Sequence, residues 1–295
     1  MNVIGGEEPR RLNPPLTIFM AARARDLPVL ELTVQRLPRN IACRAIYLVA
    51  PDPDCRRIQT RLGAAVQVVP ESQFLPGMKI AELRALKVPG FPGAAGWYLQ
   101  QLLKLQFAFV QPEDDFYLIW DADTVPLRPM RFVDADGKML LTQARENHPP
   151  YFETYRRLFG SAPVPEYSFI AQHILVQKSV AREMLAQIEQ RITGTDNWAW
   201  KIMRSLPESG DNLFSEYETY GNYVTRHHPE RVKCIERTWL REDTTDTGCR
   251  VPTERELDRL AEKYDYVAFE RANRGWRRWA KFLHGTAKHL FKRKR

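Results

Sequence analysis

Asp121 and Asp123 stand one residue apart, directly after Phe116-Tyr117-Leu118-Ile119-Trp120. Five consecutive apolar or aromatic residues rich in β-formers predict a strand buried on both faces, as inside a parallel sheet. Two carboxylates at the end of such a strand cannot both lose their water uncompensated. A hard divalent cation, Mn²⁺ or Mg²⁺, is their natural partner, because it takes carboxylate oxygens and fills its shell with substrate phosphates and water. The predicted chemistry is the handling of a metal-bound diphosphate at a strand mouth, where open α/β sheets place ligands. Helix capping or a turn is the structural alternative for these aspartates. Pro126 and Pro129 speak against the cap, since they lie where a helix begun by Asp123 would run.

Other polar residues gain meaning beside that pair. In the helix predicted over Gly96–Ala108, Trp97, Gln101 and Lys104 share a stripe, and a lysine there suits the charge that develops on a phosphate leaving group. Gln172 and His173 interrupt the apolar run Ser168–Val176, either as hydrogen-bonded core or as substrate contacts. Ser215 and Glu218 match a capping box, which accounts for Glu218 and leaves Glu216 to act as a general base at a helix N-terminus. His227 and His228 lie beyond that helix, and His228 is the candidate third metal ligand.

The elements that must position these groups alternate. Strands are predicted at residues 16–20, 46–50, 66–69, 116–120, 139–142 and 168–176, with helices between, the first capped by Asp26 and stopped by Pro38. This order predicts an α/β fold with a mostly parallel sheet and covering helices. Ala21-Ala22-Arg23-Ala24-Arg25 replaces a glycine fingerprint after the first strand, so a nicotinamide or flavin dinucleotide is not expected. Residues 70–96 read as a long functional loop with a helical turn at 79–86.

The formal charge is +8, but ten cations and no acid follow Glu270, which leaves residues 1–270 near −2. The near-neutral body offers no groove for a nucleic-acid backbone, and no nucleic acid is expected. Residues 271–295 interleave Trp276, Trp279, Leu283 and Leu290 with the cations, the composition of a helix lying on an anionic membrane surface. No signal-peptide centre or spanning segment is found, so the expected location is cytoplasmic, peripheral on the inner face of the cytoplasmic membrane. Cys43, Cys55, Cys234 and Cys249 have no metal-ligand or redox spacing and are expected as free thiols. The domain plan is a lead-in over 1–15, one domain over 16–250, and a helical region with the basic tail over 251–295.

Four blocks together, Gly-Trp-Tyr-Leu-Gln-Gln-Leu-Leu-Lys-Leu, Trp-Asp-Ala-Asp-Thr-Val, Ser-Phe-Ile-Ala-Gln-His and Ser-Glu-Tyr-Glu-Thr-Tyr-Gly, resemble the GT-A class of nucleotide-sugar glycosyltransferases. More narrowly, they are similar to a bacterial family of putative glycosyltransferases described as a domain of unknown function. The resemblance implies a GT-A, Rossmann-like sheet binding a nucleotide-sugar donor. It implies that Asp121 and Asp123 hold Mn²⁺ or Mg²⁺ and the diphosphate, Lys104 steadies the leaving phosphate, and Gln101 the sugar. Gln172 and His173 would line the sugar or acceptor pocket, with Glu216, or failing it Glu218, taking the acceptor proton in an inverting displacement. The implied acceptor is a glycan or lipid-linked glycan of the cell envelope. Two other functions fit parts of the chain. One is a haloacid-dehalogenase-like phosphatase with Asp121 as nucleophile, although that motif usually opens its domain; the other is a non-catalytic membrane-peripheral protein.

Overall fold

A computed structural model describes residues 14–75, 77–86, 90, 93–110, 115–163, 167–243 and 251–270. The basic tail 271–295, most of the lead-in and Cys249 lie outside the described residues.

The first half alternates as the pattern requires. It runs β1 (Leu16–Ala21), α1 (Leu27–Asn40), β2 (Cys43–Ala50), α2 (Asp52–Leu62) and β3 (Gln67–Pro70), then α3 (Glu71–Phe74), α4 (Ile80–Ala85) and α5 (Ala94–Gln106) before β4 (Phe116–Trp120). The stretch read as a long loop thus carries α3, α4 and the start of α5 among its described residues. Pro38 does not stop α1: it falls in the last turn, where one backbone bond is lost, and Ile41 N–H still closes on the Leu37 carbonyl. Asp26 does not cap α1 either, since its carboxylate accepts the Arg23 N–H three residues back.

The second half comprises β5 (Thr124–Pro126), β6 (Met139–Thr142), α6 (Pro149–Phe159), β7 (His173–Gln177), α7 (Lys178–Arg191), α8 (Trp198–Arg204), α9 (Glu216–His227), β8 (Val232–Ile235), β9 (Trp239–Asp243), α10 (Glu254–Ala261) and β10 (Tyr266–Glu270). The central sheet has the order β3-β2-β1-β4-β7, parallel except for β7, which runs antiparallel to β4. This is the α/β architecture expected. Tyr117, Leu118, Ile119 and Trp120 are fully buried, as a two-sided strand between β1 and β7 must be. Aromatic rings from both strands and helices fill the layer beside it, with Phe107 5.2 Å from Phe19 and 5.0 Å from Tyr117.

Two small sheets complete the fold. β6 pairs with β8, and β10 lies between β5 and β9. The segment 251–270 is therefore packed into the body: β10 pairs with the strand that follows the aspartates, and Glu254 and Asp258 of α10 bind buried Arg36 of α1. Among the described residues, Cys43, Cys55 and Cys234 are free thiols, and no helix is long and apolar enough to cross a membrane.

One glycine decides how closely α9 approaches the loop before β7. A Cβ on Gly221 would stand 2.8 Å from Phe169 Cβ and nearer still to its ring, and Phe169 is buried. Gly221→Ala should therefore overpack the core by up to about 3 kcal/mol, outweighing the ~1 kcal/mol of helix propensity gained. Urea denaturation should show a net loss near ~2 kcal/mol; a variant as stable as the parent would mean that α9 can slide.

Candidate active site

The turn bearing the aspartates is held by its own backbone. Thr124 N–H bonds to the Asp121 carbonyl at 3.0 Å, the Trp120 indole N–H to the Thr124 carbonyl at 2.6 Å, and Thr33 of α1 to the Ala122 carbonyl at 3.1 Å. Phe269 N–H of β10 takes the Asp123 carbonyl at 2.8 Å, and Asp121 N–H donates to the Gln172 carbonyl at 2.9 Å. Each main-chain carbonyl from 121 to 124 thus has a partner. The two carboxylates are presented from a rigid turn into a cleft of about 860 Å³, whose lining includes both.

Lys104 organises the floor of that cleft. Its ammonium lies 2.6 Å from Asp121 Oδ1, 2.6 Å from Glu216 Oε1 and 3.2 Å from the Tyr217 hydroxyl. An ammonium has three N–H donors, so all are committed inside the protein. Lys104 lines the cleft and neutralises two carboxylates there. Burial works against its charge, but Asp121 and then Glu216 more than offset it and hold its pKa above the ordinary value. Burial likewise pushes the Glu216 carboxyl up, against the pull of Lys104.

Tyr217, absent from the sequence reading, donates to Asp121 Oδ1 at 2.8 Å. That oxygen then accepts two hydrogen bonds, while no described group bonds to Oδ2. Burial and the Asp121 charge keep the phenol protonated, well above its usual range. Gln101 Oε1 accepts the Glu216 N–H at 3.1 Å and so satisfies one of the orphan donors at the start of α9. Gln101, Gln172, Trp97, Asp123 and Glu216 all line the cleft, which brings most of the predicted site together.

Three predicted residues fall elsewhere. Glu218 does not line the cleft: it accepts from Ser168, from Phe169 N–H at 3.3 Å and from Asn222 at 3.1 Å, bracing the loop before β7. Ser215 accepts the Glu218 N–H at 3.3 Å, but the reciprocal half of the capping box is not formed. Burial pushes Glu218 up to about 7, with Ser168 opposing. His173 is core rather than pocket, stacked 5.1 Å from Trp120 and bonded to Thr142 at 3.0 Å, with burial holding its pKa well below the ordinary value. His228 follows the far end of α9 from Glu216 and pairs with Glu183 at 3.0 Å. Eleven or so helical rises of ~1.5 Å separate the two ends, so His228 cannot join the aspartates as a metal ligand.

No described group of three His, Cys, Asp or Glu side chains could hold a metal ion by itself. The donor set nevertheless fits a hard cation of the Mg²⁺ or Mn²⁺ kind, which needs one or two carboxylates and takes its remaining oxygens from phosphate and water. Sequence reading also passed over cations of the cleft rim. Arg23 and Arg25 follow β1, and Arg84 comes from α4. The available signal was position: two arginines in the first strand-helix turn, at the ligand-binding end of a parallel sheet.

Residues 21–259 match the model of a family of unknown function, DUF6492. The chain belongs to that family. Its described part includes all of the cleft residues named above within the matched range except Phe269. Among solved structures the chain is similar to mouse xyloside xylosyltransferase 1, at 13% identity and TM-score 0.46, over 89% of this chain and 99% of that one. It is also similar to the galactosyltransferase LgtC with donor and acceptor sugar analogues, at 10% identity and TM-score 0.40, over 87% and 88% of the two chains. The bifunctional glycosyltransferase WbbM shares 10% identity at TM-score 0.44, over 91% of this chain and 48% of that one. No significant match is found among curated proteins.

Proposed function

We propose that this protein is a metal-dependent glycosyltransferase that moves a sugar from a nucleotide-sugar donor to a hydroxyl of a cell-envelope or lipid-linked glycan. The observation that carries the proposal is the state of Asp121. One carboxylate oxygen is locked by Lys104 and Tyr217, and the other is left to the cleft on a rigid turn at the ligand-binding end of β4. Asp121 and Asp123 would hold Mn²⁺ or Mg²⁺, which when bound supplies Lewis-acid neutralisation of the diphosphate leaving group.

The chain's own residues do the rest. Arg23, Arg25 and Arg84 bring guanidinium donors to the cleft, beside Asp26 and Glu71, for the oxygens of a nucleoside diphosphate. Glu216, paired with Lys104 at 2.6 Å and lining the cleft, takes the proton of the acceptor hydroxyl as its oxygen bonds to the anomeric carbon and the diphosphate leaves with the bonding electrons. That single displacement inverts the anomeric centre. Residues 271–295 would keep the enzyme on an anionic membrane face, near a lipid-linked acceptor.

Calorimetric titration with UDP and with GDP tests the proposal. One of them should bind, at least about tenfold more tightly with Mn²⁺ present than with chelator. Binding of neither, or binding indifferent to Mn²⁺, would overturn it.

A further inference from the structure

Cations also gather outside the cleft. An open groove of about 1150 Å³ runs between the start of α1 and α2, and Arg25, Arg56, Arg57 and Arg61 line it. Arg56 and Arg57 are exposed and pair with no described acid, although Asp52 and Asp54 precede them at the spacing of helical ion pairs. Those two acids are engaged elsewhere, Asp52 with the Ser72 N–H at 3.2 Å and Asp54 with the Ala24 N–H at 2.9 Å. Among the described residues Glu31 is the one acid that lines the groove, and Arg61 holds it through hydrogen bonds of 2.5 and 3.0 Å. Arg57 and Arg61 stand one helical turn apart, a like-charge spacing that costs a helix stability. Residues 1–270 are close to neutral overall, so this concentration of guanidinium groups is local.

The floor of the groove is apolar: Leu27 and Pro28 come from α1, Pro53 from α2 and Val251 from the chain ahead of α10. A single-stranded nucleic acid would call for stacking aromatics, and no described aromatic residue lines the groove. Guanidinium groups around an apolar floor match instead the phosphate and the adjoining glycerol and acyl carbons of a phospholipid. We propose that the groove between α1 and α2 docks the folded body on the anionic phospholipid face of a membrane, as a contact additional to the basic tail. Its position also sets an orientation. Arg25 lines both the groove and the cleft, and both lie at the end of the sheet where β1 and β2 finish. A body held by this groove turns the mouth of the cleft toward the headgroups, where a lipid-linked acceptor would meet it. That last consequence rests on the glycosyltransferase reading; the docking itself does not.

Co-sedimentation of the full chain with vesicles tests the docking, with mixed phosphatidylglycerol and phosphatidylcholine set against phosphatidylcholine alone. Arg56→Ala with Arg57→Ala removes two cations that line the groove and not the cleft, and alanine favours the helix. At the increment expected for each cation beside an anionic leaflet, the pair should weaken binding to the mixed vesicles by about thirtyfold. Arg39→Ala with Lys233→Ala removes as much charge at exposed positions outside the groove and should weaken it by less than about threefold. A thermal melt checks folding, and Arg56→Gln with Arg57→Gln is the second neutral pair. A loss under about threefold for both groove variants, or an equal loss for the groove and control pairs, would overturn the docking face. Equal binding to the two kinds of vesicle would overturn it too. So would groove-dependent binding of a fluorescent oligonucleotide with vesicle binding unchanged, which would assign the arginines to nucleic acid. Nucleotide binding is read separately by calorimetry, so any of these failures leaves the glycosyltransferase reading standing.

Discussion

Lys104→Met is expected to cost about 3–5 kcal/mol of stability near neutral pH, because it leaves two carboxylates facing each other in the interior. The ammonium now lies 2.6 Å from both Asp121 and Glu216, and it is 4% exposed. The loss should depend on pH with a definite sign. Burial pushes the Glu216 carboxyl up even with Lys104 present. Without the cation that push grows, so the folded variant binds more protons than the unfolded chain. Stability from such a group is fully present below the ordinary carboxyl value of 4.5 and is lost as pH rises through the folded one. Urea denaturation should therefore find a smaller deficit at pH 5 than at pH 8. A deficit under about 1 kcal/mol, or one equal at both pH values, would reduce the cluster to the rank of a surface ion pair.

Asp123→Ala is expected to lower donor turnover by about a thousandfold, the equivalent of the several kcal/mol that a bound cation contributes to a leaving diphosphate. The fold should survive, for the contact that ties this turn to β10 runs through the Asp123 carbonyl, which alanine keeps. Asp123 is also only partly buried. Release of nucleoside diphosphate from a nucleotide sugar, measured beside a urea melt, separates chemistry from folding. Turnover within tenfold of the parent would show that Asp123 does not hold the cation. Loss of the melt would show instead that the side chain is structural.

Much of the central sheet could be read from local pattern, because a two-sided parallel strand must be continuously apolar and β4 is. The Asp pair stands out for the same reason, as acids directly after an apolar run, whereas Gln101 and Lys104 stand out by helical spacing from Trp97 and Glu216 because the capping box leaves it unexplained. β8, β9 and β10 escaped notice. They are short, and what makes them strands is pairing with partners far away in the chain. Tyr217 escaped because one tyrosine between two glutamates has no pattern of its own; only the docking of α9 across the end of β4 sets its hydroxyl on Asp121.

His173, Glu218 and His228 mark the limit of inference from residue type. Each is a residue that could bind or catalyse, and each is spent on packing or bracing by the way the elements pack. Sequence alone determined the α/β order, the placement of two carboxylates at a strand end and the segregation of positive charge into the last 25 residues, since periodicity, adjacency and charge counts are properties of the chain. Tertiary structure decided which acids share Lys104 and which main-chain N–H Gln101 satisfies. Hydrogen bonds of 2.6–3.1 Å join residues up to 115 positions apart, and no local pattern encodes distances across that separation.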